Sequence, residues 1–355
     1  MTVSRSFFRR VHVFPAAALL LVAGLAAASS VFFPRRQFQK GIAFTGYSAD
    51  AYVGAGPLRA LDELRATNAN WTSILVTTYQ DTVHSTVIDF PGPQTPTDSS
   101  LVDIIAHAHA IGLKVLLKPH VDLLNDPTHY RGEIGPDFTD ADWAAWFASY
   151  RPFILHYAAL AAQTGCELFS VGCELSTSVG NAGLWRGIIA DVRAVYRGPL
   201  VYADNQVESA PEAVTWWDAL DYIGQDAYPT LSAKESPTVS DLRRGWIPFR
   251  DKLRRLATKW KKSLILTEIG VRSVRGGAVN PWDWQRQGPV DLVVQRNAYT
   301  AALSMVAGER WIAGMYWWQW SPDPEDGGPG DTGYTPHGKP AESVLRFRFR
   351  FGFLL

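Results

Sequence analysis

The chain has 355 residues, enough for one large α/β barrel of about 250 residues or for two ordinary domains. Its 34 Lys and Arg balance 34 Asp and Glu, so no net field draws in nucleic acid or any other polyanion in bulk. Two cysteines exclude a disulfide framework, whereas 14 Trp, 13 Tyr and 17 Phe supply rigid faces that can build a core or match the apolar faces of sugar rings.

The chain opens with Arg5, Arg9 and Arg10 ahead of an uncharged run from Val11 to Phe33, with Arg35 and Arg36 behind it. At about 1.5 Å per helical residue the run is long enough to span a bilayer, and the small residues Ala26 to Ser30 also suit a cleaved secretory signal. Residues 1–38 are therefore expected to be a signal peptide or membrane anchor, with 11–33 a possible tether. The body, 39–355, should lie outside the cytoplasm, secreted or held at the outer face of the membrane.

Eight apolar runs follow, each with a predicted helix before the next. Strands are expected at 41–47, 71–79, 113–120, 166–174, 200–203, 222–228, 263–268 and 312–320. Leu58, Leu61 and Leu64 mark the first helix face, and a second helix from Asp98 or Ser99 closes at Gly112. Further helices are predicted at 140–163, 185–196, 213–220, 241–261 and 290–307. A last short helix should start after Gly338-Lys339-Pro340, with Pro in its first turn, while Arg346 to Phe351 alternates like a strand and suggests packing on the barrel floor. Eight β/α units without a linker predict one closed (β/α)8 TIM barrel rather than two domains.

Two of the strands end on an acid. The run Cys166 to Ser176 carries Glu174, and the seventh strand carries Glu268, so both should reach the mouth of the barrel, where α/β folds place their chemistry. Alternation puts Ser170, Gly172 and Glu174 on one side, toward the axis. Cys166 and Cys173 would be about 23 Å apart at about 3.3 Å per extended residue and read as buried small hydrophobes. Two carboxyl groups at one mouth suit glycosidic hydrolysis, one protonating the leaving oxygen and the other attacking or activating water; paired rim salt bridges are the bland alternative. Other strand ends offer sugar contacts: Tyr228, Lys118 and His120 (with Asp122), Asn205, Tyr79, and at least one of Trp318 and Trp320, which share a parity that Trp317 does not. No histidine or cysteine spacing calls for a metal, and the chemistry needs no cofactor.

The segments Lys118-Pro119-His120-Val121-Asp122, Arg131-Gly132-Glu133-Ile134, Phe169 to Glu174, Leu266-Thr267-Glu268-Ile269-Gly270, Tyr316-Trp317-Trp318 and Gly338-Lys339-Pro340-Ala341 together resemble glycoside hydrolase family 113, known for retaining β-mannanases, within the large retaining (β/α)8 clan. The resemblance implies Glu174 as acid/base, Glu268 as nucleophile and β-1,4-linked mannan or mannooligosaccharide as substrate. Cys173 departs from the clan, most of which has Asn there to contact the sugar 2-hydroxyl, and a thiol cannot reproduce an amide. A hydrolase of another β-linked glycan, a silent carbohydrate-binding barrel, and metal-dependent hydrolysis by His120 and Asp122 are the competing readings.

Overall fold

A computed structural model of the chain describes residue 1, residue 33, residues 37–205 and residues 213–352. Most of the segment expected to be a signal or anchor thus lies outside the described residues; among those described, no helix is long and apolar enough to cross a membrane.

All eight expected strands are present and parallel: β1 (Gln39–Phe44), β2 (Trp71–Gln80), β3 (Lys114–Leu123), β4 (Leu168–Cys173), β5 (Leu200–Asn205), β6 (Tyr222–Ala227), β7 (Leu264–Ile269) and β8 (Ile312–Trp320). The ring closes at β1, where Gly41 lies opposite Trp71 of β2 on one side and Tyr316 of β8 on the other. Closure leaves no unpaired edge. A two-residue strand, Ile88–Asp89, pairs antiparallel with the end of β2, at the start of what reads in sequence as loop alone.

Among the described residues, seven helices surround the barrel: α1 (Ala55–Arg65), α2 (Asp98–Ala110), α3 (Asp140–Thr164), α4 (Ala182–Val195), α5 (Val239–Trp260), α6 (Leu292–Val306) and α7 (Pro340–Phe351). Their starts follow local chemistry. Thr139 and Thr238 accept from the amides of Asp142 and Asp241, whose carboxylates accept in return from the Thr amides, and each such cap contributes about 1 kcal/mol. Gly165, at φ 74°, ends α3 in the left-handed conformation that glycine adopts without steric cost.

Two expectations are corrected. Between β5 and β6 the predicted helix 213–220 is a single 3-10 turn, Trp217–Ala219. Eight residues are too few to sustain a helix against its nucleation cost, and Trp216 is instead stacked on Trp185 at 5.0 Å, donating to the Val179 carbonyl. At the other end of the chain, Arg346 to Phe351 is helical rather than a strand or a floor plug. It continues α7 on the outer ring beside α6, with Leu345 and Phe349 buried.

The barrel axis is filled near its base by Trp71, Leu116, Leu168, Val201, Tyr222, Ile265, Ala313 and Tyr316. Gly41 makes room for this layer, because a Cβ there would lie 2.3 Å from the Tyr316 ring. The Tyr316 hydroxyl donates to Gln39 Oε1 at 2.7 Å, so the aromatic ring is buried without an orphaned polar atom. Burying such side chains contributes about 1.5–3 kcal/mol each, which gives the mouth a rigid platform.

Candidate active site

Above the apolar layer, β3 keeps strict alternation: Leu116 faces the axis, then Lys118, His120 and Asp122 follow on the same side. β4 does not. A register shift between Ser170 and Cys173 against β5 turns Gly172 outward, where a Cβ would meet Trp185 at 2.9 Å and Tyr202 at 3.0 Å. Cys173 points inward, and Glu174, at φ 54°, bends the chain so that its carboxyl enters the mouth. Glu174 thus reaches the axis through a bulge and a left-handed residue, and not by the parity expected from sequence. β7 has the same device: Asp226 pairs with Glu268 while Gln225 pairs with Leu266, so Thr267 is the extra residue that re-aims Glu268 inward.

Both oxygens of Glu268 are held. Lys118 Nζ donates to Oε1 at 2.5 Å, and the Tyr228 hydroxyl to Oε2 at 2.7 Å. The same ammonium reaches Asp226 at 3.2 Å, and the Cys173 thiol donates to Asp226 Oδ2 at 3.3 Å. Lys118 and Asp226 are fully buried. Burial alone would lower the Lys118 pKa, but Asp226 and Glu268 outweigh it and keep the ammonium charged. Burial raises the Cys173 thiol well above its ordinary range, so it is a neutral donor.

Glu174 is held from the opposite wall. Arg131 sits in a 3-10 turn, Arg131–Glu133, stabilised by Glu133 accepting from the Tyr130 amide at 3.0 Å. Its guanidinium donates to Glu174 Oε2 at 2.8 Å, to Asp122 Oδ2 at 2.9 Å and to the Val121 carbonyl at 3.2 Å. The contact with Arg131 favours the carboxylate. Burial, with Asp226 and Glu268 nearby, acts the other way and dominates, pushing Glu174 up to about 8. Burial and Asp226 also raise Glu268, opposed by its bonds to Lys118 and Tyr228. One carboxyl group tends to keep its proton, while the other has a cation and a hydroxyl aimed at its charged form.

The two carboxyls share a cleft of about 630 Å³, lined also by Tyr47, Asp122, Arg131, Asn205, Tyr228, Trp318 and Tyr334, with Trp282 and Trp284 on one rim. Of the residues singled out in sequence, Glu174, Glu268, Tyr228, Asn205 and Trp318 meet here. Lys118 lies beneath them, fully buried, where it touches the carboxylates rather than the cleft. His120 is also buried, its ring parallel to Trp318 with centroids 6.5 Å apart, and neither ring nitrogen has a partner among the described residues. Burial first, then Arg131 and Lys118, hold it neutral. Tyr79 stands aside, donating to the Tyr47 carbonyl at 3.1 Å.

The expectation for Trp320 is corrected. The register of β8 against β1 slips between Trp317 and Trp320, so alternation fails and Trp320 is buried, its ring 4.7 Å from that of His337. Trp317 is core, stacked on Tyr299. In the sequence Arg131 is distinguished only by the family resemblance, and no local pattern distinguishes Tyr47, Asp226 or Tyr334 as cleft residues. The rim tryptophans carried one usable signal, two aromatics flanking Asp283 in a Gly- and Pro-rich loop just beyond Glu268. Two side-chain sets, His120/Cys173/Glu268 and Cys173/Glu174/Asp226, bring possible ligand atoms within 4.8 Å of one another. The Lys118 ammonium already places positive charge between Asp226 and Glu268.

A closed (β/α)8 barrel whose fourth and seventh strands deliver two buried carboxyls to one aromatic-rimmed cleft defines a glycoside hydrolase. The sequence profile of Glycoside Hydrolase Family 113 matches residues 46–339, and the chain belongs to that family, within the GH-A clan. Among solved structures it is similar to the GH113 β-mannanase of Alicyclobacillus acidocaldarius, in complex with ManMIm, at 32% identity and a TM-score of 0.78 over 89% of this chain and 98% of that one. It is also similar to a GH113 β-1,4-mannanase at 29% identity and a TM-score of 0.79, over 89% of this chain and 100% of that one. A family 5 mannosidase from Rhizomucor miehei, at 10% identity and a TM-score of 0.63 over 91% and 96% of the two chains, shares the fold alone. No curated protein matches the sequence.

Proposed function

We propose that this glycoside hydrolase is exported and cleaves β-1,4-mannosidic bonds in mannan or mannooligosaccharides with retention of configuration. The observation that carries the reading is the asymmetric treatment of the two carboxyls: Glu268 has Lys118 and Tyr228 on its two oxygens, and Glu174 is raised to about 8. The β-mannanase structures at 29–32% identity support the substrate class.

In the first step a Glu268 oxygen attacks the anomeric carbon. The bond from that carbon to the glycosidic oxygen breaks, and the oxygen takes the Glu174 proton as the leaving sugar departs. Loss of charge on Glu268 as the ester forms removes a neighbour that raises the Glu174 pKa, and Arg131 is placed to hold the resulting carboxylate. In the second step Glu174 takes a proton from water, whose oxygen attacks the same carbon. The ester bond breaks and Glu268 regains its charge. Trp318 offers a face for a sugar ring, and Asn205 and Tyr47, which line the cleft, offer polar contacts to its hydroxyls. Cys173 is engaged with Asp226 beneath the cleft, so the 2-hydroxyl must be recognised by other groups.

The test is a product assay on mannan, mannooligosaccharides and other β-linked glycans, with the anomer formed first read by proton NMR. Mannose-containing substrates should be preferred and the β-anomer released first. Glu268→Ala should lower kcat about 10⁴-fold or more. Preference for another glycan overturns the substrate, release of the α-anomer overturns the retaining mechanism, and unchanged hydrolysis by the variant overturns the role of Glu268.

A further inference from the structure

The two ends of the barrel differ in charge although the chain is neutral overall. The base, built from strand starts and helix ends, exposes Lys114 at the start of β3, Arg197 between α4 and β5, Lys261 after α5, Arg310 before β8 and Arg350 in the last turn of α7. Asp62 and Asp221, acids exposed at this end, are engaged by His107 at 2.8 Å and Arg193 at 2.7 Å. Helix dipoles favour basic residues at helix C-termini, which accounts for part of the pattern. They do not account for the apolar side chains beside it.

The last turns of α7 present Phe347 and Phe351, 49% and 55% exposed, with ring centroids 5.2 Å apart. The two are four residues apart and so share a helix face, while Phe349 is buried. Arg350 lies over the Phe351 ring at 5.2 Å. Exposed aromatics interleaved with guanidinium groups suit the boundary between lipid headgroups and acyl chains.

This is also the corner where the chain enters the barrel. Lys40, the second residue of β1, donates to the Phe349 carbonyl at 2.6 Å, and Phe33 packs against the core. Phe33 closes the uncharged run that begins at Val11, and five residues, including Arg35 and Arg36, separate it from Gln39. The uncharged run thus ends six residues before β1, whose start lies at the base.

We propose that the base of the barrel docks on an anionic bilayer surface. Phe347 and Phe351 enter the interfacial layer, Lys114, Arg197, Lys261, Arg310 and Arg350 face phosphate headgroups, and the catalytic cleft is turned away from the membrane toward solvent-borne glycan. Each basic group near such a surface adds attraction that salt screens. The inference is independent of which glycan is cleaved.

The test uses the full chain in vesicles of phosphatidylglycerol and phosphatidylcholine, compared with phosphatidylcholine alone, with amide hydrogen exchange followed by mass spectrometry. Exchange over 345–352 and 258–263 should slow about fivefold in the anionic vesicles and recover at about 0.5 M salt, while 282–285 at the mouth exchanges equally in both. The variant Phe347→Ser/Arg350→Glu/Phe351→Ser should still float with the vesicles through its N-terminal run and should retain wild-type hydrolysis in detergent, yet lose that slowing. Equal exchange in the two compositions, slowing that survives in the variant, or a full chain that does not float at all overturns the proposal. So does slowing that appears without lipid and grows with protein concentration, which would assign the surface to a second copy of the chain.

Discussion

In the lower half of the barrel Leu116, Leu168, Tyr222 and Ile265 fill the axis with largely apolar side chains; two to six residues further along the same strands and their ends, Lys118, Glu174, Asp226 and Glu268 put charge in the same column. The lower layer is self-sufficient, since each side chain is stabilised by leaving water. The upper layer is stable only as a set. Lys118 answers Asp226 and Glu268, and Arg131 answers Asp122 and Glu174, so two cations face four carboxyl groups. The surplus of acid is relieved by leaving one carboxyl protonated, and Glu174 at about 8 is the group placed to do it. Catalytic asymmetry is therefore a consequence of incomplete charge balance above an inert floor.

That contrast can be broken from either side. Removing the cation should cost most: Lys118→Met leaves Asp226 and Glu268 buried without their partner, and urea unfolding should show a loss of about 3–5 kcal/mol. Adding Asp226→Asn should recover part of it, a coupling that independent sites would not show. In the floor, Leu168→Ala should cost about 2–5 kcal/mol through the cavity it leaves while the pH profile of kcat/KM keeps its shape, because no charge has moved.

Glu174 has a folded-state pKa raised above its unfolded value, so it binds its proton more tightly when folded. The stability it contributes is full below the unfolded pKa, near 4.5, and is lost as pH rises through about 8. Glu174→Gln should therefore gain on the wild type in thermal stability as pH rises from 5 to 9, and a difference that stays constant over that range would contradict the assignment. The smallest effect is expected from Arg131→Met, which removes a group that lowers the Glu174 pKa: the basic limb of kcat/KM should move up by about one pH unit.

Much of this arrangement is legible in the sequence, because apolar runs ended by acids and separated by capped helices are one-dimensional patterns. Thr139 with Asp142, Thr238 with Asp241, and Glu174 and Glu268 at strand ends need no tertiary information. What escapes is set by register. Alternation predicts Glu174 inward and places Trp320 with Trp318, yet β4 slips between Ser170 and Cys173, and β8 slips against β1, so parity gives the right direction for Glu174 by the wrong route and the wrong direction for Trp320. Strand pairing across tens of residues decides such slips. Arg131 escapes for a related reason: it lies in a loop, and its value comes from the Val121, Asp122 and Glu174 oxygens that the fold brings around it. The RFRFRF tail alternates like a strand but follows Pro340 into a helix, where packing against α6 overrides the local pattern.

Trapping separates the nucleophile, Glu268, from the proton donor, Glu174. The protein is treated with a 2-deoxy-2-fluoro-β-mannosyl substrate bearing a good leaving group, and proteolytic peptides are read by mass spectrometry. A fluoromannosyl ester is expected on the peptide containing Glu268, and none in the Glu268→Ala variant. An ester on Glu174, or turnover that leaves no covalent sugar on Glu268 with rapid release of the inverted anomer, would contradict that assignment.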